Sequence, residues 1–493
     1  MTVALCAAFA QGQASTASTT SGVSANDPGL DDVDAAMAAE MAAEYNLSLQ
    51  DASERVRIQR AAVEFKEDLA ASVQSEWAGG VVDSEDGTRR QWFVASPEAK
   101  VDLDRELAHF PELNVETEVV EHTLEELQDA AETVSSSLRT SGLVATSVNI
   151  DVLNNELVVG VPGNDKIYAK YTSASRRPAP PSFSENADGV AGARARLSRA
   201  SGIPIRSKPD IESTPATPAG CTNSQISGGV HLALECDDPM RGGPMIWTDL
   251  AFPFYVGCSA GFQVRSMSDN SLYMLTSGHC APAGNGDGDG GRGRVWWAHM
   301  PKDGSGNYAK HQVGTWWRGV VNNDDGDGGI IKVTNPTGWR AGSPIVFVGA
   351  SQSSGKDTTL NASYQIQSQG TWLALDIGDW LCKTGGADWT DCGSYQGGEV
   401  VDVNGEDGLL FSTVLHRFDT MRVCQGDSGG PVLGNGKGWG LVTSQAGTIS
   451  HMEWEPISRE MVFNSACGTR TYVMALPRLM NALNIRLVTV ASP

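Results

Sequence analysis

Long apolar runs, a surplus of basic residues and closely paired cysteines are all missing from this chain of 493 residues. No run of about 18 apolar residues occurs, so we expect no membrane-spanning helix. Lys and Arg number 36 against 59 Asp and Glu, and because no basic face is visible, nucleic acid is not expected as a partner. No CxxC spacing occurs, which argues against structural zinc sites. No repeat period is visible, which counts against a structural or adhesion protein built from repeats.

The acidic charge is concentrated in one part of the chain. Residues 1–165 carry 30 acidic and 9 basic side chains, whereas the remaining residues carry 29 and 27. The length allows about three domains. The acidity therefore belongs to an N-terminal region and not to the longer C-terminal part.

The first 30 residues are expected to lie outside the folded domains. A small apolar stretch, Val3 to Ala10, is followed by Gly12-Gln13-Ala14, as at the end of a signal peptide with a small-residue cleavage site. The basic segment that begins such peptides is missing, so we interpret residues 1–14 as a truncated signal peptide, with an ordinary disordered start as the alternative. Residues 15–30 are rich in Ser, Thr, Ala and Gly and are expected to be disordered.

Residues 31–163 are predicted to form a small α+β unit. Met37, Met41 and Tyr45 recur at helical spacing, and Ser48 is placed to cap a second helix. Short strands follow, then a helix over about 124–138, and residues 153–155 read as a hairpin turn. Residues 164–220 are rich in Pro, Ser, Arg and Ala, which predicts an exposed linker of the kind that proteases cut.

Residues 221–493 have an all-β pattern, with short strands divided by loops rich in Gly, Asp and Asn. Two of these loops, 284–293 and 322–328, are rich in Asp and Gly. Calcium binding is one interpretation of them, but their spacing does not match an EF-hand, so we favour solvated turns. We predict no metal and no cofactor.

The most informative segment is Cys424-Gln425-Gly426-Asp427-Ser428-Gly429-Gly430-Pro431. Its glycines allow a sharp turn that exposes the Ser428 hydroxyl and leaves backbone N–H groups available to an oxyanion. His279 lies upstream in Thr276-Ser277-Gly278-His279-Cys280, and Asp327 lies between the two segments. The order His, Asp, Ser is the one found in chymotrypsin.

Gly426-x-Ser428-x-Gly430 also fits the nucleophile elbow of α/β-hydrolases, which makes an esterase-type serine hydrolase the alternative. Such an enzyme needs its acid and its histidine after the serine. Only His451 follows Ser428, and alternating helices are missing before it. The order of the residues therefore favours the protease.

These motifs resemble those of the chymotrypsin-like serine proteases, in particular the secreted bacterial branch of streptogrisins and α-lytic protease, over about residues 229–490. The resemblance implies two antiparallel β-barrels. It also implies a triad in which Ser428 is the nucleophile, His279 the base and Asp327 the residue that orients it, with Asp324 and Asp325 as nearby alternatives. The N–H groups of Gly426 and Ser428 would form the oxyanion hole.

Eight of the nine cysteines lie in the C-terminal part, an even number that suits an oxidising, extracellular compartment. The resemblance implies the pairs Cys258–Cys280 and Cys382–Cys392. Cys424–Cys467 would brace the serine loop, and the remaining pair is Cys221–Cys236.

Further roles are implied by the same resemblance. Lys383 stands where the bacterial branch has an Arg that pairs with the acid before the serine, here Asp427. Arg422, Ser444 and Ala446 fall on the specificity pocket. No acid stands six residues before Ser428, so we expect cleavage after small or medium apolar residues, or after acidic residues through Arg422.

The α+β unit resembles the pro-regions of the same proteases, through residues 44–48 and the hairpin. We therefore expect a secreted, monomeric endopeptidase that acts on proteins or peptides. It would be made as an inactive precursor whose pro-region assists folding and inhibits the enzyme, with the maturation cut within 164–220. An inactive binding module with a protease fold is the remaining alternative.

Overall fold

A computed structural model of the chain describes residues 32–83, 87–143, 145, 147–162, 182–210, 213–215, 240–249, 255–281, 292–302, 308–334, 336, 341–348, 362–386, 389–405, 408–452 and 465–490.

The first part of the chain is a mixed α+β unit. Its helices are α1 (Asp32–Glu44), α2 (Leu49–Glu67), α3 (Ala71–Gln74), α4 (Pro97–Leu107) and α5 (Leu124–Thr140). Its strands are β1 (Trp77–Val82), β2 (Arg90–Val94), β3 (Val115–Val119), β4 (Ser147–Asp151) and β5 (Glu156–Pro162). The predicted helix cap is present, because the Ser48 hydroxyl accepts a hydrogen bond from the backbone N–H of Asp51 at 3.1 Å. The predicted hairpin is present as β4 and β5, paired from Asp151 and Glu156 outward.

The exposed-linker prediction is wrong over residues 183–210. Helix α6 (Phe183–Ser201) packs Val190 and Ala193 into the same core as α5, and strand β6 (Ile205–Asp210) runs parallel to β5. Val190, Ala193 and the partly buried Leu197 form a short apolar stripe at helical spacing, which the surrounding Arg, Ser and Ala conceal. Residues 164–181 of the predicted linker lie outside the described residues. The name N-terminal unit is used below for residues 32–162 and 182–210.

A short strand, β7 (Ser213–Pro215), follows the N-terminal unit. The chain then enters a curled eight-stranded antiparallel sheet. Its strands are β8 (Met245–Asp249), β9 (Tyr255–Ser259), β10 (Gln263–Ser266), β11 (Leu272–Thr276), β12 (Val295–Lys302), β13 (Tyr308–Asn322), β14 (Gly326–Val333) and the last strand, β24 (Ile485–Leu487). They lie side by side in the order β24-β10-β11-β14-β13-β12-β8-β9. This sheet is the first half of the predicted pair of barrels and remains open.

Two small strands, β15 (Ile345–Val348) and β16 (Ala362–Gln365), pair with each other, and β17 (Ser368–Gln369) leads into the second barrel. That barrel consists of β18 (Trp380–Gly385), β19 (Trp389–Gly405), β20 (Gly408–Cys424), β21 (Pro431–Gly434), β22 (Lys437–Met452) and β23 (Ser465–Ala475). Its six strands lie side by side in the order β18-β21-β22-β23-β20-β19. The barrel is closed, because the first of these strands, β18, also pairs with the last, β19. Helix α7 (Leu476–Leu483) carries the chain back to β24.

The fold is thus mostly β, with one closed and one curled antiparallel barrel preceded by an α+β region, as the sequence predicted. The N-terminal unit contacts the barrels at several points, of which two concern the sheet and the apolar core. Strand β4 pairs with β19 and so extends the second sheet. Val33, Met37 and Met41 of α1 are buried in the same cluster as Leu433 and Leu441 of the second barrel. Among the described residues, no helix has the length and apolar character needed to span a bilayer.

Candidate active site

Three separate segments bring the predicted triad together. His279 lies in a single 3-10 turn, Gly278–Cys280, directly after β11. Asp327 lies at the start of β14, which pairs with β11 so that Thr276 faces Gly329. Ser428 lies in the turn between β20 and β21 of the other barrel. The site therefore forms where the two barrels meet.

The three side chains form one chain of hydrogen bonds. His279 Nε2 lies 2.9 Å from the Ser428 hydroxyl, and Nδ1 lies 2.7 Å from the carboxylate of Asp327. The other Asp327 oxygen accepts the backbone N–H of His279 at 2.8 Å. The side chain of His279 is 5% exposed and that of Asp327 is fully buried. A buried acid that binds both the ring and the backbone of a histidine fixes the orientation of the imidazole.

The two neighbouring aspartates occupy a surface turn. The Asn322 side chain accepts the backbone N–H groups of Asp324 and Asp325 and donates to the Asp325 carboxylate. Asp324 is exposed and Asp325 is half-buried. The structure therefore brings Asp327, and not these two, to His279.

Glycines and one unforeseen serine shape the turn that carries Ser428. Gly426 and Gly429 have φ values of +102° and +84°, and a Cβ on Gly429 would lie 2.2 Å from Thr276 Oγ1. The Ser259 hydroxyl donates to the Gly426 carbonyl, and the Ser259 N–H donates to the Ser428 carbonyl, both at 2.8 Å. These bonds fix the peptide planes of the turn. Sequence reasoning missed Ser259, because only its position after Cys258 could have drawn attention to it.

Lys383 and Asp427 form a buried ion pair directly before the serine. The Lys383 ammonium lies 2.8 Å from Asp427, and both side chains are fully buried. The same carboxylate oxygen accepts the backbone N–H of Cys424 at 2.9 Å. This pair therefore connects β18 to the start of the serine turn.

Replacing Lys383 with methionine is expected to destabilise the chain strongly, since it would leave the Asp427 carboxylate buried without its cation. The expected loss is about 3–5 kcal/mol of unfolding free energy. Denaturant unfolding of Lys383→Met measures it. Lys100→Met, which removes a partly exposed i,i+4 pair with Asp104, is the control and should cost less than about 1 kcal/mol. Equal effects of the two changes would contradict this account of the pair.

The residues predicted for the specificity pocket lie on two strands of the second barrel. Ser444 and Ala446 are buried on β22. The guanidinium of Arg422 lies 3.9 and 3.8 Å from the sulfurs of Cys424 and Cys467, and its backbone N–H donates to the Asp391 carboxylate. Arg422 therefore contacts the disulfide that braces the serine loop.

Three disulfides are present among the described residues, Cys258–Cys280, Cys382–Cys392 and Cys424–Cys467. Cys221 and Cys236 lie outside the described residues. The first bridge holds the histidine turn to β9 and the third holds the start of the serine turn to β23. The segments that carry His279 and Ser428 are thus both anchored covalently.

A second histidine, His416, is buried on β20 of the second barrel. His416 stacks on Trp372 with ring centroids 3.7 Å apart and lies 3.1 Å from the Tyr395 hydroxyl. Burial lowers the pKa of His416 to about 3, so the ring is a neutral part of the core. No group of three or more metal-ligating side chains occurs in the part of the chain that the structure describes.

Comparison with known proteins finds similar structures but no matching family. No protein-family model matches the chain, and no curated protein matches it significantly. Protease A of Thermobifida fusca is similar at 18% identity and a TM-score of 0.31, covering 50% of this chain and 98% of that one. The Nocardiopsis protease NAPase is similar at 18% identity and a TM-score of 0.31, and the match covers 51% of this chain and 100% of that one.

A third similar structure is a glutamic acid-specific serine protease, described as using a histidine triad in substrate binding. Its identity is 20% and its TM-score is 0.32, and the match covers 50% of this chain and 100% of that one. Because all these identities and TM-scores are low, the function has to be argued from the geometry of the site.

Proposed function

We propose that the chain is a serine endopeptidase that hydrolyses peptide bonds through an acyl-enzyme. The observation that carries this proposal is the hydrogen-bonded chain from Ser428 through His279 to the buried Asp327. A serine hydroxyl is a weak nucleophile at neutral pH, and a histidine within hydrogen-bond reach is the base that activates it. Covalent reaction of Ser428 with a phosphonate probe tests the proposal and separates an enzyme from an inactive binding module.

The proposed reaction has two halves. Ser428 Oγ attacks the carbonyl carbon of the substrate while His279 Nε2 takes the hydroxyl proton. His279 then gives this proton to the leaving amine as the C–N bond breaks, which leaves an ester on Ser428. Water, deprotonated by the same nitrogen, attacks the ester carbon. The bond from this carbon to Ser428 Oγ then breaks as His279 gives the proton to Oγ, which releases the carboxylic acid and restores the serine hydroxyl. Asp327 keeps Nδ1 protonated and stabilises the imidazolium formed in each half.

The turn 426–428 is proposed to stabilise the negative charge that develops on the substrate oxygen. The Asp427 carbonyl accepts the N–H of Gly430 at 2.8 Å, which fixes the peptide plane that carries the Ser428 N–H. This supports the role, because a donor held in place does not have to reorganise during the reaction. Donors held in place beforehand are the usual source of such stabilisation.

The N-terminal unit together with β7 is proposed to be a pro-region that keeps the enzyme latent. Strand β7 pairs antiparallel with β22, with Pro215 opposite Ser444 and Ser213 opposite Ala446. The β22 strand also passes the serine turn, where Val442 accepts the N–H of Gly429 at 2.8 Å. The edge of β22 nearest the nucleophile is therefore covered by the chain itself. We place the maturation cut after β7, within residues 216–220.

The separated N-terminal unit is expected to inhibit the matured enzyme. Residues 32–215, which include β7, should reduce casein hydrolysis when they are expressed alone and added to enzyme from which they have been removed, until the two are equimolar. A titration of initial rate against added fragment measures this, and an equal amount of bovine albumin controls for competition by added protein. Unchanged rates at a tenfold excess of folded fragment would contradict the role as an inhibitor.

The remaining features of the proposal concern substrates and location. We propose protein or peptide substrates, cleavage after small or medium apolar residues, and acidic residues as the second candidate. The three disulfides support an extracellular location, because such bonds persist in oxidising compartments. The proposed enzyme is a monomer and uses no cofactor.

A further inference from the structure

Two buried carboxylates in the segment directly before β18 receive their cations from the N-terminal unit. Asp376 Oδ1 lies 2.6 Å from the Lys66 ammonium, and its Oδ2 lies 2.5 Å from the Arg90 guanidinium and accepts the Trp92 indole N–H at 2.9 Å. Asp379 Oδ1 lies 2.8 Å from the same guanidinium, an ion pair without hydrogen-bond geometry. All four charged side chains are at most 2% exposed. Asp376 and Asp379 are called the acid pair below.

The backbone around the acid pair is also held by the N-terminal unit. Ile377 donates its N–H to the Gly80 carbonyl at 2.8 Å and accepts the Val82 N–H at 2.7 Å, as an added strand would. The Gln59 side chain of α2 binds both backbone groups of Trp380, each at 2.7 Å. Residues 376–380 are thus paired by β1 on one side and by a glutamine amide on the other.

The close approach of β1 to Asp376 depends on a glycine, Gly80, which has no side chain. A Cβ on Gly80 would lie 2.0 Å from Asp376 Oδ1 and 2.7 Å from the Trp92 ring. Only a glycine lets β1 come this close to the carboxylate. The fit at this point is therefore steric as well as electrostatic.

The charges of the cluster depend on one another. Burial opposes ionisation of Asp376, but Lys66 and Arg90 outweigh it and hold the pKa of Asp376 below its usual range. Burial, assisted by the charge of Asp376, raises the pKa of Asp379 in spite of Arg90. Burial also lowers the pKa of Lys66. Removing one member therefore leaves the others desolvated and unbalanced.

The acid pair stands at the start of the strand that supports the nucleophile. Trp380 is the first residue of β18, and Lys383, three residues later, makes the buried pair with Asp427 directly before Ser428. Whatever fixes residues 376–380 also fixes the start of this strand.

We infer that the acid pair, with the backbone of residues 376–380, is the recognition site for a folded α+β partner that presents Lys66, Arg90 and Gln59 together. That partner is the chain's own N-terminal unit, and its docking holds β18 in register. The inference relies on the proposed function only for the removal of this unit during maturation. The contacts themselves are made in the intact chain.

Hydrogen exchange in the intact chain tests the inference without relying on activity. In a Ser428→Ala background, which keeps the chain uncleaved, the amides of Ile377 and Trp380 report docking, because both donate to the N-terminal unit. Lys66→Met or Asp376→Asn alone should raise their exchange rates at least about 30-fold. The double variant, which balances the charges again, should return to within about threefold of the parent.

Two further readouts separate recognition from general destabilisation. The amides of β11 should exchange at parent rates in every variant, since that strand belongs to the other sheet. Arg89 lies beside Arg90 but is exposed and paired with Glu116. Arg89→Met should therefore leave the exchange rates of the Ile377 and Trp380 amides unchanged, whereas Arg90→Met should raise them. Independent, multiplicative effects of Lys66→Met and Asp376→Asn would overturn the inference, as would equal acceleration in β11. Absence of protease activity in the chain with Ser428 intact would overturn only the proposed function.

A second arm uses Gln59, which is removed with the N-terminal unit. In the chain with Ser428 intact, Gln59→Ala should lower the yield of matured enzyme several-fold but leave its kcat/KM unchanged. A yield equal to that of the parent, or a changed kcat/KM of the purified enzyme, would contradict the role of Gln59 in recognition.

Discussion

Replacing Ser428 with alanine is expected to abolish peptide-bond hydrolysis while the chain remains folded. Without the Oγ atom no acyl-enzyme can form, and only the oxyanion donors and substrate binding remain, so kcat should fall by roughly 10⁶-fold. The substitution removes a single buried oxygen beside His279. We therefore expect the variant to unfold cooperatively on heating, as the parent does. Turnover of a casein substrate and thermal unfolding of the same sample measure both quantities.

Ser271→Ala is the matched control for this result. Ser271 lies in a turn where it donates to Asp269, in an exposed hydrogen bond away from the site, and its loss should leave turnover within about twofold, since surface changes have small effects. A Ser428→Ala variant that cleaves casein at a rate comparable to the parent would remove Ser428 from the mechanism. It would leave the fold assignment intact.

Replacing Asp327 with asparagine is expected to lower kcat by roughly 10⁴-fold, the effect of presenting His279 in the wrong tautomer. The carboxylate accepts both the ring and the backbone N–H of His279, and an amide that donates to Nδ1 would leave Nε2 protonated. Such a nitrogen cannot take the proton of Ser428. Steady-state kinetics of the matured variant measure the loss.

Asp324→Asn provides the comparison for this second variant. Asp324 is exposed in the turn capped by Asn322, so its conversion should change kcat by less than about twofold. A larger loss from Asp324→Asn than from Asp327→Asn would transfer the role of the triad acid and would contradict the arrangement described above.

The features that the sequence predicted correctly depend on short-range patterns. The Ser48 cap, the hairpin around residue 154 and the order of strands and turns follow from neighbouring residues, whose preferences the fold did not override. Each residue of the predicted triad lies in a local sequence motif, with glycines near all three and a cysteine near His279 and near Ser428. Their meeting at one point followed from the resemblance and not from any single segment.

The features that the sequence concealed depend on distant partners. Lys66 and Asp376 lie 310 residues apart, and neither has a neighbour that marks it as part of a buried pair. Helix α6 was hidden because its apolar stripe is short and surrounded by Arg and Ser, so composition outweighed periodicity. Ser259 acts through its own backbone and hydroxyl on another barrel, a role that no local pattern announces.

Intact-mass analysis of the matured enzyme after reaction with a peptidyl phosphonate tests the central claim most directly. The proposed mechanism predicts one adduct per chain, carried by the proteolytic peptide that contains Ser428, and its loss in a chain in which His279 is replaced by alanine. No adduct on the folded, matured chain, or an adduct on another serine that persists without His279, would contradict the claim that Ser428 is the nucleophile.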